Sequence, residues 1–200
     1  MSTATPAAEF VPFRLTVCGI EELGGHCASG VSHVLSILDP GLPPPPAFGS
    51  YGEHVRLDLR FDDIIEPQAG KTMPHASDVE ALLAFGRDLA MEGATTGAAH
   101  LLVHCHMGVS RSTASMTLIL AQARPDRDPA DALAEVARIR PQTWPNLHML
   151  EMGDEMLGLG GRLVDAAHHH YARIARAEPL KARFFREIGR ARELSRVPIL

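Results

Sequence analysis

The strongest constraint on the fold is the unbroken apolar run Leu101, Leu102 and Val103, bracketed by His100 and His104. A strand without polar alternation has to be covered on both faces, which places it in the middle of a helix-flanked sheet. A different pattern marks Val55, Leu57, Leu59 and Phe61, with Arg56, Asp58, Arg60 and Asp62 between them, a strand with one buried face. Residues 13–17 and 31–38 read as two further strands, the second stopped by Asp39-Pro40. Residues 21–26 suggest a short helix, and residues 41–52, with prolines at 43–46, a loop. Ser77 and Asp78 can cap a helix whose Val79, Leu82, Leu83, Phe85 and Leu89 recur at helical spacing, closed by Gly93 and Gly97. Four more helices are expected over 109–123, 129–140, 146–157 and 162–176, separated by Pro125, Pro141, Pro145 and the glycines at 158, 160 and 161.

Strands with helices between and behind them predict an α/β fold: a central, mostly parallel sheet of about four to five strands flanked by helices. Two hundred residues suit one core. The expected organisation is a flexible tail over 1–10, one domain over 11–178, and a C-terminal helix or arm over 179–200, where basic residues alternate with Phe184, Phe185 and Ile188. Lys and Arg number 19 against 24 Asp and Glu, a net charge of -5. No broad field then draws nucleic acid or an anionic membrane, so neither is expected as a partner, and any anion must be held by a local device. No apolar run approaches the roughly 20 residues of a membrane span, and residues 1–8 lack the marks of a secretory signal. A cytoplasmic protein is expected, and Cys18, Cys27 and Cys105, odd in number and without a CxxC pair, suit a reducing compartment.

Such a local device follows the central strand. His104, Cys105, His106, Met107, Gly108, Val109, Ser110, Arg111 and Ser112 place a cysteine just past the strand and an arginine, six positions on, at the start of a helix. A loop of five residues between them can turn its backbone amides inward, and the helix amino end adds partial positive charge, so residues 106–111 can cradle a phosphate. The same donors favour a thiolate on Cys105. Gly108 supplies backbone freedom, Arg111 offers two parallel hydrogen bonds to phosphate oxygens, and Ser112 can donate to the sulfur when it leaves.

At these residues the chain resembles the protein tyrosine phosphatase superfamily, and HCHMGVSRS is similar to the HCxxGxSRS signature of its dual-specificity branch. The resemblance runs roughly from Phe13 to Leu157 and includes PNLHML at 145–150, similar to that branch's PNxxF segment with Met149 in place of Phe. It implies a phosphotyrosine protein phosphatase II-like fold and a cysteinyl-phosphate intermediate, with no metal and no cofactor. The substrate would be a phosphorylated protein or a small phosphoester. It also implies an aspartic acid on a mobile loop after the strand that precedes the signature unit. Asp58, Asp62 and Asp63 are the candidates, with Asp63 favoured because it ends the alternating strand. Asp63 and Cys105 stand 42 positions apart, longer than is usual in the branch, which suggests an enlarged lid over residues 66–75. His104 is either a satisfied core histidine or, as in the family, a residue that tunes the thiolate; Asn146 caps its helix and, by the resemblance, braces the catalytic loop.

Rival readings are a phosphatase of a small metabolite or RNA end, a rhodanese-like sulfurtransferase, and a non-catalytic phosphate-binding module. Without lysines in the loop, a phosphoinositide substrate is disfavoured. His168, His169 and His170, pointing in three directions from a helix, suit a solvated face better than a metal site, and Trp144 is expected to pack before the 146–157 helix.

Overall fold

Four strands, β1 (Arg14–Gly19), β2 (His33–Leu38), β3 (Val55–Arg60) and β4 (His100–Cys105), form one sheet in the computed structural model, which describes residues 10–196. Their order is β1-β4-β2-β3 and every pairing is parallel. All six residues of β4 and of β2 are buried, as two-sided covering demands, whereas β3 is an edge strand with Leu59 buried and Arg56 and Asp58 exposed. Parallel strands bring their carboxyl ends to one border, and here that border gathers Gly19, Asp39, the residues after Arg60, and Cys105. Residues 1–9, which hold most of the expected N-terminal tail, and 197–200 lie outside the described residues.

Helix α1 (Ala76–Thr96) makes the crossover between β3 and β4. Its cap falls two residues earlier than the Ser77 cap that the sequence suggests: His75 is the N-cap, and Asp78 reaches back to accept from its backbone N–H at 2.8 Å. Gly93 lies inside the helix against Phe13, and Gly97, at φ 65°, supplies the left-handed terminus. Helix α2 (Arg111–Ala123) is buried along positions 111–121, so it is the inner helix of the domain. Around it pack α1, α3 (Pro129–Ile139) and α4 (Leu147–Met156). Helix α5 (Arg162–Ala177) follows, its amino end tied by Asp154, which accepts from Gly161 N at 2.6 Å and Leu163 N at 2.8 Å. No helix among the described residues is long and apolar enough to cross a membrane.

The described part of the C-terminal stretch is helical and packed. Helix α6 (Pro179–Phe185) leads into a π-turn (Arg186–Arg190) and a 3-10 turn (Ala191–Leu194). Phe185 stacks on Trp144 with ring centroids 4.3 Å apart, and the Tyr171 ring centroid lies 5.0 Å from that of Trp144. This packing corrects the reading of the histidine run. His169 is exposed, but His168 and His170 are buried, with ring nitrogens 3.3 Å from the Glu193 carbonyl and 3.0 Å from the Thr143 carbonyl. Their faces of α5 are covered by segments distant in sequence, which local pattern does not reveal.

Helices α2 and α4 approach closely at Gly153, where an added Cβ would overlap both methyls of Leu118. Gly153→Ala should therefore lower stability by about 1–3 kcal/mol, the usual cost of overpacking a core, and Leu118→Ala in the same chain should recover part of it. Urea denaturation of the two variants measures both effects.

Candidate active site

Peptide geometry shapes the loop between β4 and α2. The His106 carbonyl accepts from Ile20 N at 2.9 Å, the Met107 and Gly108 carbonyls accept from Arg140 at 3.0 and 2.9 Å, and the Val109 carbonyl accepts from Trp144 N at 2.9 Å. Each carbonyl is thus held on the outside of the loop. In a planar trans peptide the next N–H points the opposite way, so the amides of residues 107–110 turn toward the inside. Arg140 is itself fixed by a two-pronged pair with Glu22, at 2.7 and 2.9 Å, and Glu22 accepts from Gly19 N at 2.5 Å. Gly108 sits at φ 66° over the end of β1, where a Cβ would lie 2.6 Å from both Cys18 O and Gly19 N. No other residue fits there.

Cys105 is buried at the mouth of this loop, its Sγ 3.2 Å from Ser112 Oγ. The Arg111 side chain is only 3% exposed. Its Nη1 donates to Asp39 Oδ1 and to the Phe61 carbonyl, both at 2.6 Å, while Nε is a buried donor without a protein partner. A buried guanidinium N–H without an acceptor is costly unless an anion arrives to accept from it. Met107 is 66% exposed and His106 is also exposed, so both stand on the rim. His104 points to the opposite side of β4 from Cys105: its Nε2 lies 2.8 Å from Ser36 Oγ and its ring packs against Phe48. Burial lowers its pKa from 6.5 to about 4.

The two aspartates after β3 have separate surroundings. Asp62 is buried; its carboxylate accepts from Lys71 Nζ and Thr72 N, both at 2.8 Å, and its own N–H donates to the Thr72 carbonyl. One Asp63 oxygen accepts from three groups: Ser110 Oγ at 2.6 Å, Asn146 Nδ2 at 3.0 Å and Arg190 Nη1 at 3.2 Å. Burial raises both carboxyl pKa values, but it is outweighed by Lys71 at Asp62 and by Arg190 and Arg111 at Asp63, so both carboxyls end below their ordinary range. Asn146 also caps α4, its Oδ1 accepting from Met149 N at 3.2 Å, and its backbone N–H donates to the Ser110 carbonyl. Ser110 therefore spends its side chain on Asp63 instead of on the cradle.

The structure brings together Cys105, Arg111, Ser112 and the amides of 107–110, with Asp62, Asp63 and Asn146 beside them. Asp58 stays away on β3, paired with Arg56 at 2.9 Å. Sequence reading missed Asp39, Lys71, Arg140 and Arg190. Asp39 alone carried a signal, because it ends a buried parallel strand at the border where ligands gather.

No protein-family model matches the chain, and no curated protein matches it. Solved structures do. Human DUSP28 is 20% identical, with 72% of this chain and 92% of that chain covered and a TM-score of 0.53. A mouse dual specificity phosphatase complexed with zinc tungstate is 18% identical over 80% and 95% of the two chains, with a TM-score of 0.54. The human tyrosine phosphatase-like serine/threonine/tyrosine-interacting protein is 19% identical over 76% and 95%, with a TM-score of 0.56. The fold is thus that of the cysteine-dependent tyrosine phosphatases, in the form of their dual-specificity branch.

The His104 ring has a pH consequence. Below pH 6.5 the unfolded chain takes up a proton that the buried ring refuses until about pH 4, so folding stability falls as the pH drops through that window. The contribution from this ring approaches about 1.4 kcal/mol per pH unit. An NMR titration should place the His104 midpoint near 4; a midpoint near 6.5 would show that the ring is not sealed.

Proposed function

We propose that this chain is a phosphomonoester hydrolase that works through a cysteinyl-phosphate intermediate, with phosphotyrosyl or other phosphorylated proteins as substrates. The observation that carries the reading is the buried Arg111 Nε without a partner, beside Cys105 in a loop whose carbonyls all face outward. A phosphate seated on the inward amides would accept from Nε and bring its phosphorus in front of Cys105 Sγ. The thiolate attacks phosphorus as the ester oxygen departs, and Arg111 and the amides hold the charge on the equatorial oxygens. Ser112 Oγ then donates to the sulfur as water displaces it. Such chemistry needs a free thiol, and Cys18, Cys27 and Cys105 are all unpaired, in keeping with a reducing, cytoplasmic setting.

The departing oxygen needs a proton. Asp63, the sequence favourite, is held by Ser110, Asn146 and Arg190, donors anchored in the core. Asp62 is better suited. The Phe61 carbonyl that Arg111 grips immediately precedes it, and its partners Lys71 and Thr72 lie on the long loop before α1, able to move with it. A phosphate dianion entering beside Asp62 raises the carboxyl's pKa by like-charge repulsion and competes for Lys71, so substrate itself favours the protonated acid.

Turnover is tested on p-nitrophenyl phosphate, a phosphotyrosyl peptide, a nucleotide and thiosulfate. Cys105→Ser should abolish phosphatase turnover while tungstate still binds, and Arg111→Lys should weaken both; thiosulfate activity without phosphatase activity would overturn the assignment. Asp62→Asn should slow the peptide reaction by about 100- to 10,000-fold, and p-nitrophenyl phosphate less, since its leaving group is already acidic. The reverse ranking, with Asp63→Asn carrying the leaving-group dependence, would return the acid to Asp63.

A further inference from the structure

Arg190 lies 80 positions beyond Ser110, in the π-turn after α6, yet its side chain is 2% exposed and ends beneath the catalytic loop. Its Nη1 donates to Ser110 Oγ at 2.7 Å and to Asp63 Oδ1 at 3.2 Å, and its Nη2 donates to the Pro145 carbonyl at 3.3 Å. Glu193 balances the charge, taking Nε at 3.0 Å and Nη2 at 2.5 Å. Glu193 is fully buried and also accepts from Trp144 Nε1 at 2.6 Å and Leu147 N at 3.2 Å. One guanidinium therefore joins the last residue of the cradle before Arg111, the aspartate next to the proposed acid, and the turn that carries Asn146. Neighbouring contacts reinforce the clamp, because Arg192 Nη2 donates to the Ile65 carbonyl at 3.0 Å and its Nε pairs with Glu66 at 3.4 Å. Gly189, at φ 86°, lets the chain pass Gln68.

We propose that Arg190 is a positioning residue for the signature loop, so that the C-terminal segment, through Ser110 and Asp63, sets the geometry in which Cys105 and Arg111 meet a phosphoester. A buried guanidinium is retained only where its donors are used, and a tail that merely covered apolar surface would need Phe185 and Leu194 but no charge. Arg190 uses its charge on groups at both ends of the site. Ser110 is the N-cap of α2 and carries no side-chain cap bond of its own, so its Oγ orientation is fixed by Arg190 on one side and Asp63 on the other. The peptide it anchors leads directly into Arg111. Misplacement of such a peptide by about 1 Å is enough to cost turnover about 100-fold without any lost contact to substrate.

This inference rests on the phosphatase reading for its catalytic readout, and the test separates the two. In the full chain, Arg190→Met with Glu193→Gln removes the buried pair together and leaves Asp63 to its hydrogen bonds from Ser110 and Asn146, and Arg190→Lys and Ser110→Ala complete the set. Hydrogen exchange of residues 104–113 should lose protection in the paired variant, at a temperature where circular dichroism shows it folded. On p-nitrophenyl phosphate, kcat should fall about 10- to 100-fold while KM stays within about threefold. Ser110→Ala combined with Arg190→Lys should be no slower than the slower single variant, because both break one linkage. Unchanged exchange in 104–113, wild-type kcat in the folded paired variant, or losses that multiply in the combined variant would each overturn the proposal. A wild-type protein inactive on every phosphoester would instead count against the phosphatase reading, and exchange of 104–113 would still decide whether Arg190 braces the loop.

Discussion

A guanidinium buried at the carboxyl border of the sheet governs the arrangement of this molecule. Arg111 is almost wholly withdrawn from water, and a charge in that position must be met by acceptors at once. Asp39 from the end of β2 and the Phe61 carbonyl from beyond β3 meet it. The requirement links three chain segments that the parallel sheet delivers to the same border. Its Nε is left as a buried donor without a partner.

Satisfying the backbone around that arginine shapes the rest of the site. The loop can turn its amides inward only if something outside takes its carbonyls. Ile20, Arg140 and Trp144 do so, which ties the segment after β1, the end of α3 and the turn before α4 to the same four residues, 106–109. A second buried arginine, Arg190, lies beneath, its charge shared between Glu193 and Asp63. Two aspartates adjacent in the chain thus have different partners, Asp62 held by Lys71 and Thr72 of the long loop and Asp63 by Ser110, Asn146 and Arg190. Their order in the sequence does not distinguish them, but the elements that supply their partners do.

Much of the architecture was legible because it rests on local periodicity. The four strands lie where apolar runs and alternation placed them, and the helices differ from expectation by a residue or two at their ends, as at His75. The loop from Cys105 to Arg111 was legible for the same reason: strand, glycine, arginine and helix follow one another within a few residues. By contrast, His168 and His170 looked like solvent-facing residues, since no pattern within α5 shows that the turn holding Thr143 and the segment ending in Glu193 cover them.

From the sequence alone came the pairing of Cys105 with Arg111, because a cysteine and an arginine six positions apart at a strand-to-helix junction are joined by the chain itself, and short-range geometry permits few arrangements. Only the tertiary structure decided which groups accept the arginine's hydrogen bonds, which partners hold each aspartate, and that the C-terminal segment reaches Ser110 and Asp63. Those contacts join residues as far apart as Asp63 and Arg190. They form only when buried charges and backbone carbonyls from separate elements must satisfy one another away from water, and that requirement leaves no mark in local sequence.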